Sequence, residues 1–326
     1  MGETMSGITE RFSHSKNKYI FFGGKGGVGK TVIAGATAIY LSSLSKKTLL
    51  CSTNPVHSLS SCFGQQFVGH GETKVEGCDN LYALEIETSE TVGKYRDNTR
   101  NKILDFLKYA DIPIDPAPFV DAATTNPAFE ESAMFDNVMD IILSNKYDCY
   151  VFDTAPVAHT YRLLGMSKMY DMWLGKMIKS REEAVSLKKS LSFKKNKKET
   201  NDPVIQGMLD SRRKTEEIRK LLTDKELTAF YFVTLPLALP ISVVERFIYW
   251  VRAFNIPVGG VVVNQVMPQT ESLSPYIVNR MEQQKHYLEL IDKKFGDLLA
   301  ARIPQFDNEI RGVEMLKKVM ISISNI

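Results

Sequence analysis

The sequence predicts an α/β fold in which a mainly parallel, twisted sheet lies between helices and carries an inserted helical subdomain. Three observations predict it. Short apolar runs recur along the chain, and several are continuous in Val, Ile, Phe and Tyr rather than alternating, as in strands covered on both faces. Most of these runs end in a polar loop followed by a helical pattern. Two long stretches hold no such run at all.

The first 16 residues are polar and are expected to be disordered. The predicted strands follow as Tyr19–Phe22, Thr48–Ser52, Leu81–Ile86, Cys149–Phe152, Ala229–Thr234, Val258–Val263 and Leu298–Ile303. The strandless stretches begin at Thr91 and Met166 and read as helices. Prolines between Pro113 and Pro118 break the first, and Lys194–Pro203 breaks the second. The expected domains are therefore 17–90, 132–165 and 226–326 for the α/β part, and 91–131 and 166–225 for the helical part. No internal repeat indicates a solenoid or a fused duplicate. In parallel sheets ligands sit beyond the carboxyl ends of the strands, so the polar loops there are where chemistry is sought.

Composition narrows the function. Of 326 residues 44% are hydrophobic and 24% charged, enough for a substantial core. A net charge of +3 is too small to imply a nucleic-acid partner. The longest apolar run, Ala229–Val244, contains Pro236 and Pro240 and is shorter than a membrane span, which needs roughly 20 residues. It reads as a strand, a loop and a helix start. Cys51, Cys62, Cys78 and Cys149 form no C-x-x-C pair, and no secretory or targeting pattern precedes them, so a reduced cytoplasmic setting is expected. Between Met166 and Lys225 the net charge is +7, densest at Lys194, Lys195, Lys197 and Lys198, which reads first as a solvated loop.

The motif that carries chemistry follows the first strand. Gly24-Lys25-Gly26-Gly27-Val28-Gly29-Lys30-Thr31 fits G-x-x-x-x-G-K-[ST] between a strand and a helix, the context of a phosphate-binding P-loop. The backbone N–H groups of Gly26, Gly27, Val28 and Gly29 are expected to converge on ATP phosphates, helped by the helix N-terminus. Lys30 should reach the β- and γ-phosphates, and Thr31 should hold Mg²⁺. Lys25 is an extra lysine whose position suggests action on a partner's site, as an arginine finger acts. Asp153 ends a strand, as a Walker B acid does, and His159 follows it in the loop Thr154-Ala155-Pro156 and onward. The loop Ser52–Ser58 leaves a neighbouring strand and includes Asn54, Pro55, Val56 and His57. Both loops could switch between order and disorder with the γ-phosphate.

These motifs together resemble the ArsA/Get group, the arsenite-pump and tail-anchored-protein-targeting ATPases within the MinD-like (SIMIBI) class of P-loop NTPases. The resemblance runs from Tyr19 to the end, on GGKGGVGKT, STNPVHSLS, ESAMFD, DTAPVAHTYRLLGM, VVVNQ, RMEQQKHYLELI and IPQFDNEIRG in that order. It implies a homodimer, with the state between dimer and tetramer left open, and Lys25 acting in trans. It implies that 54–58 is switch I and 153–159 switch II, that Asn264 reads the adenine edge, and that the Pro304–Arg311 loop, with Phe306, closes over the base. In the targeting branch the helical segments hold a client's hydrophobic C-terminal helix and deliver it to a membrane receptor. Met166, Met169, Trp173 and Met177 would then line the groove.

The chain departs from the family pattern in three places. Asn54 stands where switch I has an aspartate that orients and activates water, so hydrolysis is expected to be slow. Ser274 and Ile277 stand where the targeting branch has a zinc-binding C-x-x-C, so no zinc is expected. Val32 replaces a hydroxyl residue that could contact the α-phosphate, and Val157 and Ala158 replace Thr-Gly in switch II. An arsenite-pump ATPase, which needs clustered thiols, and a MinD-like membrane switch, which ends in a basic amphipathic helix, are the alternative readings.

Overall fold

A computed structural model of the chain describes residues 16–54, 57–109, 117–125, 128–154, 203–269 and 274–324, with residue 115 and isolated positions between 172 and 186. The chain divides into two compact units. The first comprises Met1–Glu87, Ile141–Tyr161 and Leu221–Ile326, and the second Thr88–Asp140 and Arg162–Lys220.

The first unit is built on an eight-stranded sheet. Its strands are β1 (Tyr19–Gly23), β2 (Thr48–Ser52), β3 (Thr73–Lys74), β4 (Leu81–Glu85), β5 (Cys149–Asp153), β6 (Thr228–Thr234), β7 (Val258–Val266) and β8 (Leu299–Pro304), in the order β3-β4-β2-β5-β1-β6-β7-β8. Every pairing is parallel except that of β3 with β4. The two-residue β3 carries no run of apolar residues and was not expected. Leu298, assigned from sequence to the last strand, instead closes a 3-10 turn, Gly296–Leu298.

The continuous apolar runs are explained by cover on both faces. Ile20, Phe22, Leu50, Val151, Tyr231 and Val262 turn to one side and share a buried cluster with Ile33 and Leu41 of α1 (Lys30–Ser43). Leu316, Val319 and Ile323 of the last helix join the same cluster. Alternation along the strands sends Phe21, Phe152 and Phe230 to the other side, where Phe21 stacks between the other two rings at 4.6 and 4.5 Å.

Between β2 and β3 lies the short helix α2 (Ser58–Phe63). The helical unit takes up α3 (Thr88–Tyr109), α4 (Ala117–Thr124), most of α5 (Ala128–Ser144) and most of α6 (Pro203–Thr223). In it Val92, Phe129 and Ala133 are buried together, with the Tyr95 ring 5.0 Å from that of Phe129. Lys214 ties α6 to α5 through Asp136 and Asp140, at 2.9 and 2.7 Å. Residues 132–140, placed by sequence in the α/β part, belong to this unit, because α5 runs unbroken past Ala133. Residues 221–225 belong instead to the sheet unit, where Thr228 donates from its hydroxyl to Leu221 O and from its amide to Asp224 O.

The sheet unit ends with α7 (Ala238–Ala253), α8 (Pro275–Phe295) and α9 (Val313–Ser324). α7 buries Ile241, Val244, Ile248 and Val251, the spacing of one helical face. The run Ala229–Val244 is thus a strand, a short loop and a helix start. The last helix carries its apolar side into the core. Among the described residues no helix is long and apolar enough to cross a membrane. Residues 1–15, Pro55, Val56, Val157, Ala158, His159, Met166, Met169, Trp173, Met177 and the lysine cluster 194–198 lie outside the described residues.

Candidate functional site

The loop from Gly24 to Gly29 joins the carboxyl end of β1 to α1. Gly24 has φ +150°, and a Cβ there would fall 2.4 Å from Val233 O, so the loop can pass under β6 only as glycine. Gly29 opens α1 in the left-handed region, at φ +89°, and a Cβ would fall 2.2 Å from Asn264 Nδ2. The Asn264 side chain is buried and donates to Val28 O at 2.9 Å, so β7 holds the loop from below. The N-cap of α1 is Gly29, which makes no side-chain cap bond, and a helix start of this kind suits an anion, with the helix dipole behind it.

Lys30 is buried, and its Nζ donates to Lys25 O at 3.3 Å, folding back across the loop. Burial pushes its ammonium below the ordinary lysine value, while nearby Asp153 opposes the shift. Thr31 Oγ1 donates to Asp153 Oδ2 at 2.6 Å. The same oxygen receives Ser58 Oγ at 3.3 Å and, weakly, Ser52 Oγ at 3.5 Å. Asp153 is 1% exposed, and among the described residues its Oδ1 has no hydrogen-bond partner. Burial raises its carboxyl above the ordinary aspartate value; hydrogen bonds from Thr31, Ser58 and Ser52 and the charge of Lys30 pull the other way.

This is a set of hard oxygens around a buried acid with one oxygen to spare. It fits Mg²⁺, which takes oxygen ligands and keeps several waters. Thr31 and Asp153 are the residues that could hold the ion. Strand register explains their convergence. Asp153 of β5 lies opposite both Phe22 of β1 and Ser52 of β2, and Ser52 lies opposite Glu85 of β4. Three polar residues thus end three adjacent strands on the edge that carries the loops.

The backbone at the start of the 53–58 loop is fixed by that edge. Thr53 N donates to Asp153 O at 3.1 Å, and Asn54 N to Ser52 Oγ at 3.1 Å. His57 is left-handed, with φ 48° and ψ 49°, and precedes α2. Lys25 is half-buried, Gly26 and Gly27 are exposed at the loop's crest, and Val32 packs against the core. Pro304 ends β8, Gln305 N donates to Val266 O, and half-buried Phe306 rests on the cluster beneath α1. Asn264, expected at the adenine edge, donates one of its two side-chain N–H bonds to Val28 O.

One residue of the edge was missed by sequence reasoning. Glu85 is 3% exposed and accepts from the backbone amides of Leu59 and Ser60. Its sequence signal is faint: a lone acid closing an otherwise apolar strand, LYALE.

The four cysteines are free. Cys51, Cys62 and Cys149 are buried. Burial, reinforced by Asp153, pushes the Cys62 thiol up to about 12, and Cys51 is likewise held protonated. Such thiols are poor soft-metal ligands.

Known proteins are similar to this chain over nearly its whole length. A family profile described as anion-transporting ATPase matches residues 17–325. The chain is 32% identical to ATPase get3 of Schizosaccharomyces pombe over 308 residues, covering 92% of this chain and 89% of that protein. It is 31% identical to ATPase GET3C of Arabidopsis thaliana, covering 97% and 85%. It is 32% identical to the ATPase ASNA1 homolog of Dictyostelium discoideum, covering 95% and 90%.

Proposed function

The chain belongs to the anion-transporting ATPase family, and from that membership we propose that it is a magnesium-dependent, homodimeric targeting ATPase that shields the hydrophobic C-terminal helix of tail-anchored membrane proteins. One observation carries the coupling this requires. The chain leaves the sheet for the helical unit twice, at Thr88 shortly after Glu85 and at Arg162 after Asp153. The second departure follows the strand that ends at Asp153 in the phosphate site, and the first follows the strand whose last residue, Glu85, holds the helix after the 53–58 loop, so a change at that edge has a backbone route toward the proposed client-binding segments. The names get3 and ASNA1 on related ATPases are consistent with the reading.

In this mechanism the glycine loop and the first turn of α1 receive the phosphates of ATP. Lys30 exchanges the Lys25 carbonyl for the β- and γ-phosphates. Thr31 and Asp153 would hold Mg²⁺, directly or through water, and it would supply positive charge against the phosphates. Ser58, displaced from Asp153, turns toward the nucleotide. Asn54 positions the attacking water without accepting its proton, which makes turnover slow. Lys25 of each chain neutralises charge in its partner's site. Pro304 and Phe306 flank the base, and a membrane receptor takes the client on release.

The test is co-expression with a tagged tail-anchored protein, followed by purification and intact-mass analysis. Exposed apolar helices of roughly 20 residues aggregate unless covered, so a soluble complex is the expected result. Introducing Asp at Met169 and Trp173 should abolish it while ATP affinity persists. A client that aggregates equally with and without the chain would overturn the reading.

A further inference from the structure

α2 begins without a usual cap. A helix start leaves its first amides unsatisfied, and Ser, Thr, Asp or Asn at the N-cap normally answers them. Here the N-cap is His57, in the left-handed region and making no side-chain cap bond. The first turn is instead held by two acids from outside the helix. Ser58 Oγ reaches Asp153 Oδ2 through a single contact of 3.3 Å. Glu85 takes the rest: Leu59 N donates to its Oε1 at 2.7 Å, Ser60 N to its Oε2 at 3.3 Å, and Ser60 Oγ to the same Oε2. Ser60 Oγ in turn accepts from Phe67 N at 3.1 Å, which extends the network past the end of the helix. Leu59 itself is fully buried in the core.

The two acids flank β2, each in register with Ser52. They hold the helix unequally. Asp153 belongs to the phosphate site and has one hydroxyl link to α2. Glu85 has no part in that site, and its links run mainly to the helix backbone. Hydrogen bonds to a charged acceptor are the strong ones, and a buried group that loses them bears the full desolvation cost.

We propose that Glu85 is a positioning residue for ATP hydrolysis: it anchors the first turn of α2, so that movement on nucleotide binding is confined to residues 53–58 and Asn54 returns to one place over the γ-phosphate. The proposal rests on the reading of 54–58 as the switch loop. It makes Ser58 the boundary, free to exchange Asp153 for the nucleotide, while Leu59 and Ser60 stay fixed.

The experiment compares the wild type with Glu85→Gln, which keeps one acceptor oxygen and the side-chain volume. Amide hydrogen exchange is followed with and without Mg²⁺ and a non-hydrolysable ATP analogue, together with ATP affinity and single-turnover hydrolysis. In the wild type, nucleotide should alter exchange at 53–57 and leave Leu59 and Ser60 protected throughout. In Glu85→Gln, Leu59 and Ser60 should exchange about tenfold faster or more, and hydrolysis should fall about tenfold, with ATP affinity within about twofold. A Glu85→Gln protein with unchanged protection and hydrolysis overturns the anchor alone. Equal losses in affinity and rate also overturn it, since they denote collapse of the site. A wild type that binds the analogue with no response at 53–57 overturns the underlying switch reading instead. Should Glu85→Gln fail to fold, Ser60→Ala removes one link to Glu85, together with the bond from Phe67 N, and is expected to show the same pattern more weakly at Leu59, with its absence there counting against the anchor.

Discussion

Asp153 joins three hydroxyls through Oδ2 and leaves Oδ1 unpartnered among the described residues, at 1% exposure. Burial raises its folded value above the ordinary 3.8. The unfolded chain therefore loses this proton at lower pH than the folded one. Between the two values the folded state binds more protons, so stability falls as pH rises through that window and is not regained above it. Asp153→Asn removes the fall. The nucleotide-free variant should be more stable than the wild type at pH 7 in urea denaturation, with the gain vanishing at low pH. It should also lose the extra stability that Mg²⁺ confers with ATP. A variant less stable at pH 7 would mean that the hydroxyl bonds outweigh desolvation. Asn54 bears on rate rather than stability. Its amide is placed by Ser52 Oγ, beside Thr53, whose own amide is held by Asp153 O, so a carboxylate there would enter a backbone already set for the task. Asn54→Asp should raise turnover by about 10²-fold or more with little change in ATP affinity, read by phosphate release under saturating ATP.

At the scale of elements, what could be read from sequence was whatever has a period or a required residue type. β2 was placed at its full extent because its centre, Leu49-Leu50-Cys51, is continuously apolar as in a strand buried on both faces, and TLLCS is bounded by charged and polar loops. The glycines of the phosphate loop were legible as a pattern, but their reasons are distant. Gly24 answers to a carbonyl of β6 and Gly29 to a side chain of β7, neither visible until the sheet is assembled. β3 was missed because two residues cannot display alternation. α2, with six residues, is too short for a helical period, and its left-handed His57 gives no capping signal. The group that does the capping lies about 25 residues along the chain and is brought near only by the pairing of β2 with β4. α5 shows the same limit on unit boundaries. Its sequence continues as helix, and only packing around Ala133 tells which residues belong to which unit.

For the whole molecule, the proposed reaction is a property of two chains. A closed homodimer places the same patch of each copy against the other, so a lysine that reaches outward from one loop can enter its neighbour's site twice over. Lys25 is half-buried beside exposed Gly26 and Gly27, at the crest of the loop, while Lys30 is drawn inward to its carbonyl. The proposed reaction gives the two lysines separable duties, one to the chain's own phosphates and one to the partner's. Co-expression of a Lys25→Ala chain with an Asp153→Asn chain, each with its own tag, isolates the mixed dimer. Either homodimer alone should lose hydrolysis by about 10²-fold or more, since every site lacks either the acid or the borrowed lysine. In the mixed dimer the Lys25→Ala chain keeps its own Asp153 and receives Lys25 from its partner. That single site should restore single-turnover hydrolysis with about half the wild-type amplitude per dimer. If Lys25 acted on its own chain's ATP, both sites of the mixed dimer would stay crippled and no activity would return. The same preparation tests what holds the chains together. Ser274 and Pro275 begin α8 without a thiol, so a chelator should leave the mixed dimer intact, whereas removing nucleotide should loosen it.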